Sequence, residues 1–204
     1  MRKLSAFALT LLAIEFLDEF VYGAREAAWP LIRNDLGLTH TQVGLLLGIP
    51  GVIASLIEPW LGILGDVLRR RVLVLGGGIV FALALLLTAG SSSFSLLLAS
   101  LILFYPASGS FVSLSQATLM DTDPACHEQN MARWTFAGSL GVVAGPLALG
   151  GAALLGLRWR GLFLRVRGTS ANASVRREVE PPGREGRWVP LAAIQIVARS
   201  WVPR

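Results

Sequence analysis

Five long apolar stretches, at 5–27, 43–64, 73–90, 95–118 and 134–156, alternate along the chain with short polar links. Each approaches or exceeds the roughly 20 residues that a helix needs to cross the hydrocarbon core of a bilayer, so the pattern predicts five transmembrane helices. The links hold the turn and charge signals. Pro30 and the run from Asn34 to Thr41 separate the first two stretches, and Thr39 and Gln42 have the spacing of a capping box that starts a helix. Asp66 to Arg71 follows the second stretch and Ser91-Ser92-Ser93 the third. Asp121 to Asn130 follows the fourth, with Asp123-Pro124 placed to open the next helix.

Composition supports this reading. Of 204 residues, 53% are hydrophobic and 15% charged, against about 25% charged in an ordinary soluble domain. The mean hydropathy is +0.61. The net charge of +5 is unevenly placed: ten of the eighteen basic residues lie after residue 157, where they leave +7 against −2 for the rest. A nucleic-acid footprint on the apolar body is thereby excluded. The expected organisation is a helical bundle over 1–160 followed by an arginine-rich tail over 161–204, whose composition predicts disorder. Lys and Arg in short loops set orientation. An inside N-terminus puts Arg2, Lys3, Arg69, Arg70, Arg71 and Arg133 on the cytoplasmic side and only Arg25 and Arg33 outside, which predicts a multi-pass protein of the cell membrane with a cytoplasmic N-terminus.

The first stretch is the least expected of the five. Glu15, Asp18, Glu19, Tyr22, Arg25 and Glu26 recur at spacings of three and four, which gathers them along one face of a helix. At about 3 kcal/mol for each charge at mid-membrane, three carboxylates turned to lipid would cost on the order of 9 kcal/mol. They are expected to face protein or a water-filled cavity. Glu15, Asp18, Glu19 and Tyr22 are therefore candidates for a substrate or proton cavity. The competing reading makes these acids partners of basic groups that only hold the bundle together, with Arg25 pairing locally to Glu26. Glu58, before Pro59 in the second stretch, is open to either role.

After the second stretch comes Gly62-Ile63-Leu64-Gly65-Asp66-Val67-Leu68-Arg69-Arg70-Arg71. It resembles the loop between helices 2 and 3 of the major facilitator superfamily: Gly, three residues, Asp, a basic residue, any residue, Gly and two basic residues. Gly62, Asp66, Arg70 and Arg71 match; Val67 stands where a basic residue is usual and Arg69 where glycine is usual. Gly141-Val142-Val143-Ala144-Gly145-Pro146, then Gly150-Gly151, resembles the glycine-proline motif of the family's fifth helix, with one extra residue before the final pair. In that motif Gly141, Gly145 and Pro146 serve close helix packing. The fourth helix departs from the family, with Tyr105 near the place of an expected arginine, before Gly109.

The resemblance covers about 4–163 and implies an all-α membrane fold like the N-terminal half-bundle of that family. It implies transport of a small solute by alternating access, open to proton coupling. Five helices of an expected twelve, with a sixth beginning near Trp159, suggest a truncated product. The expected partners are the lipid bilayer, a small-molecule solute, protons, and a second half-transporter or second copy that completes the pathway; nucleic acid is not among them. The alternative is an inactive or accessory membrane fragment. No cofactor or metal is called for, and enzyme signals are thin: His127-Glu128 lacks the spacing of a zinc protease.

Overall fold

The computed structural model describes residues 5–67, 70–122, 126–156 and 159–161. Five α-helices follow one another: α1 (Ala6–Leu36), α2 (His40–Val67), α3 (Arg70–Gly90), α4 (Phe94–Thr122) and α5 (His127–Leu154). Among the described residues there is no strand. Beyond its first residue, 161, the expected tail lies outside the described residues, as does Asp123-Pro124.

The helix ends follow local chemistry. Ser5 caps α1 by accepting from the Ala8 N–H at 3.1 Å. Gly37 ends it in the left-handed region at φ 62°, where its N–H reaches the Arg33 carbonyl. The expected capping box is formed at the start of α2: the Thr39 N–H donates to Gln42 Oε1 at 2.9 Å, and the Gln42 N–H donates to Thr39 Oγ1 at 3.2 Å. Ser93 opens α4, accepting from the Leu96 N–H.

Two boundaries differ from the expectation. Pro30 lies inside α1, which continues to Leu36. Proline removes one hydrogen bond from a helix, and burial of Ala28, Trp29 and Ile32 around it holds the helix together. The second difference is α5, which starts at His127 rather than near 134, because its first turns are polar and project beyond the apolar stretch.

Four helices, α2 to α5, are long and apolar enough to cross a membrane. The 31-residue α1 is long enough, at about 1.5 Å per residue, but its charges set it apart by composition. It belongs to the same bundle, packing along α5 on one side and α4 on the other, while α4 also takes α2 and α3. Two buried apolar clusters form. One uses Val21, Ala28, Trp29 and Ile32 of α1 with Phe81, Leu101, Phe104 and Leu149. The other uses Ala8, Leu11 and Ile14 of α1 with Val74, Phe111, Leu114 and Trp134. Along α1 the stretch between Ile14 and Val21 separates them, and it holds three carboxylates. Apolar side chains such as Leu56 and Trp60 on α2 and Phe136 and Leu147 on α5 are exposed, as lipid-facing positions require.

Candidate functional site

The acids of α1 fall within two turns of its middle, and the structure divides them between its two neighbours. Asp18 faces α4, accepting from the Ser108 hydroxyl at 2.6 Å. Glu15 and Glu19 face α5. Glu15 is buried beside Gly138, where a Cβ would lie 2.6 Å from its Oε1 and 3.4 Å from Glu19 Cγ. Gly138 thus leaves the room that two carboxylate side chains occupy. Tyr22, half exposed, stands between the two flanks. Asp18 on one flank and Glu15 and Glu19 on the other turn to the two helices that pack against α1, α4 and α5.

The α1–α5 contact is close because of glycine. A Cβ on Gly141 would meet the Phe16 carbonyl oxygen at 2.5 Å and the Phe20 nitrogen at 2.9 Å. One turn on, a Cβ on Gly145 would meet the Ala24 nitrogen at 2.5 Å. From the facing side, a Cβ on Gly23 would meet Val142 O at 2.5 Å and Pro146 Cδ at 3.1 Å. Gly141, Gly145 and Pro146 therefore lie on the seam that sets the height and angle of the acid-bearing helix. Gly150 and Gly151 have open space and lie off it.

Glu58, left open by the sequence, comes to the same region from α2. A Cβ on Gly109 would lie 2.8 Å from its Oε1. Gly109 follows Ser108, so Asp18 and Glu58 approach adjacent positions of α4. Periodicity along α1 could not reveal this, since the meeting point is on another helix.

Outward from Tyr22, Arg25 is buried and its charged end lies among aromatic rings: Tyr22 at 5.4 Å, Phe104 at 5.1 Å and Tyr105 at 5.0 Å to the centroids. It pairs with Glu26 at 3.5 Å, as expected, and donates to the Tyr105 hydroxyl at 3.4 Å. Glu26 also accepts from the Trp29 indole at 3.3 Å. Tyr105 of α4, a residue the family resemblance singled out, here meets an arginine supplied by α1.

The loop motif is split across two helices. Gly62 is exposed near the end of α2, Asp66 lies in the last turn of that helix, and Arg70 and Arg71 open α3. Arg70 forms an ion pair with Asp121 at the end of α4, tying the start of α3 to the end of the central helix. At the opposite end, Asp35 accepts from the Trp159 indole at 3.2 Å and pairs with Arg160 at 3.1 Å. Arg160 also donates to the Ser91 carbonyl at 2.6 Å, so the segment after α5 clasps the ends of α1 and α3.

Comparison with known proteins agrees with the motifs. The family model described as Major Facilitator Superfamily matches residues 11–199, reaching beyond the last residues that carry a recognisable motif. No curated protein matches the chain at a significant level.

Proposed function

Because the chain belongs to the major facilitator superfamily, we propose that it moves a small solute across the membrane by alternating access, with the groove of α1 between α4 and α5 as the solute or proton path. The observation that carries this reading is the placement of Glu15, Asp18, Glu19 and Tyr22 at the middle of α1. The three acids are turned to neighbouring helices between two apolar clusters, and Tyr22 follows them on the same side of α1. Ionisable groups at that depth are expensive and mark ion or substrate paths. Asp18 of α1 and Glu58 of α2, approaching α4 from two sides, draw the acids from two helices onto a third.

In this reading protons couple to transport through the acid pair Glu15 and Glu19, one turn apart, and the Arg70–Asp121 pair steadies one end of the bundle during rocking. The N-terminus lies inside, by the count of basic residues in the loops. A second half closes the pathway, supplied by a second copy or by a partner half-transporter.

The test is flux. The purified chain in proteoliposomes, given an imposed pH gradient and a panel of cationic, anionic and neutral solutes, should accumulate at least one of them. Cross-linking in the same vesicles should trap a pair. No flux for any solute, together with only monomers, would mark the chain as an inactive or accessory fragment.

A further inference from the structure

Arg25 is the buried charged group of α1 whose hydrogen-bonding needs the protein meets least. A guanidinium carries five N–H donors and stays charged in a protein. Only Nη2 has hydrogen-bond partners, Glu26 Oε1 at 3.5 Å and the Tyr105 hydroxyl at 3.4 Å, both at the long limit for such bonds. Nε and Nη1 are buried and have no hydrogen-bond partner among the described residues. The three rings attract the charge but accept no N–H in the way an oxygen does. Glu26 meets Arg25 through Oε1 alone, the oxygen that also accepts from the Trp29 indole, and reaches neither Nε nor Nη1.

We propose that Arg25 is the binding group for an anionic solute, and that the anion is a singly charged organic acid with an apolar body. The unpaired donors call for oxygen acceptors, and a carboxylate supplies them. Tyr22, Phe104 and Tyr105 around the guanidinium suit an aromatic or aliphatic body. Glu26 beside Arg25 and Asp18 two turns away on α1 repel any anion, so binding depends on the hydrogen bonds to Nε and Nη1, and the repulsion, which grows with the anion's charge, disfavours phosphate or sulfate more than a monocarboxylate. Entry is past Tyr22, a residue 45% exposed, while the Arg25 side chain is 4% exposed. Rotation of Tyr22 uncovers the donors. The proposal rests on the transport reading, in that the groove admits a solute.

Benzoate is the probe, with inorganic phosphate as the comparison, added to the full chain in phosphatidylcholine nanodiscs while thermal unfolding is followed. A ligand that binds the folded state raises the midpoint saturably. Benzoate is expected to do so and phosphate to do so much less. Arg25→Gln should weaken benzoate by at least about tenfold, the loss expected for charge-assisted hydrogen bonds. Glu26→Gln removes the competing carboxylate and should tighten benzoate by about threefold or more. No benzoate effect, an equal effect in Arg25→Gln, or phosphate acting as strongly as benzoate would overturn the proposal. Should Arg25→Gln fail to fold, unchanged benzoate affinity in Glu26→Gln overturns it alone. Binding is read without flux, so flux of another solute with no benzoate binding removes the anion site and leaves transport standing. Benzoate binding without any flux does the reverse.

Discussion

The Ser108 hydroxyl of α4 donates to the Asp18 carboxylate of α1 at 2.6 Å, joining two helices at the depth where the apolar clusters leave α1 without a greasy partner. A hydrogen bond to a charged group contributes about 1.5–3 kcal/mol, and more of it is felt where water is scarce. Ser108→Ala should lower stability by about that amount in detergent unfolding. Asp18→Asn, which keeps an acceptor, should cost less. The double variant should show a coupling of about 1 kcal/mol or more; strict additivity would mean that the two residues do not depend on each other.

The α1–α5 seam makes a sharper contrast. Gly141→Ala and Gly145→Ala place a methyl against backbone atoms, which cannot swing aside, and overpacking of this kind costs about 1–3 kcal/mol. Gly150→Ala and Gly151→Ala, in the same helix and with open space, should be neutral or slightly stabilising, since alanine is the better helix former. Thermal midpoints of the four variants decide the matter: equal shifts would show that the seam does not set stability.

Much of this was legible beforehand. The three-and-four spacing of Glu15, Asp18, Glu19 and Tyr22 marked the polar face of α1, and Thr39 with Gln42 marked the start of α2. The glycine-proline and loop motifs pointed to the family whose model matches residues 11–199. What hydropathy missed has physical causes. Pro30 reads as a break, but buried neighbours carry the helix through it; polar turns such as His127 to Asn130 extend a helix past the lipid without an apolar signal. Arg25 on Tyr105 and Glu58 on Gly109 are contacts between residues 80 and 51 positions apart, which no local periodicity encodes.

Arg70 and Asp121 meet at the end of the bundle, with Asp121 two-thirds exposed. Exposed ion pairs contribute little, about 0–1 kcal/mol, because water screens them. Asp121→Asn should therefore leave the unfolding midpoint nearly unchanged. The charge-reversed Arg70→Asp should cost more, and adding Asp121→Arg should recover most of that loss. If the paired reversal is no better than the single one, the two side chains do not act on each other in the membrane-embedded protein.

Glu58 and Gly109 test whether space, rather than stability, is what a glycine of α4 provides. A Cβ at position 109 would press on the far end of the Glu58 side chain, 2.8 Å from Oε1, and a flexible carboxyl can turn away from it. Gly109→Ala should accordingly cost less than about 1 kcal/mol, well below the cost at Gly141, where the obstacle is backbone. Glu58 is already exposed on α2, so its carboxyl can turn aside without leaving the α2–α4 side of the bundle for lipid. Labelling by a membrane-permeant carbodiimide, read at Glu58 by peptide mass spectrometry, should rise in Gly109→Ala relative to the unaltered chain. A large loss of stability with no change in labelling would show that Gly109 packs the helices and that Glu58 does not depend on the space it leaves.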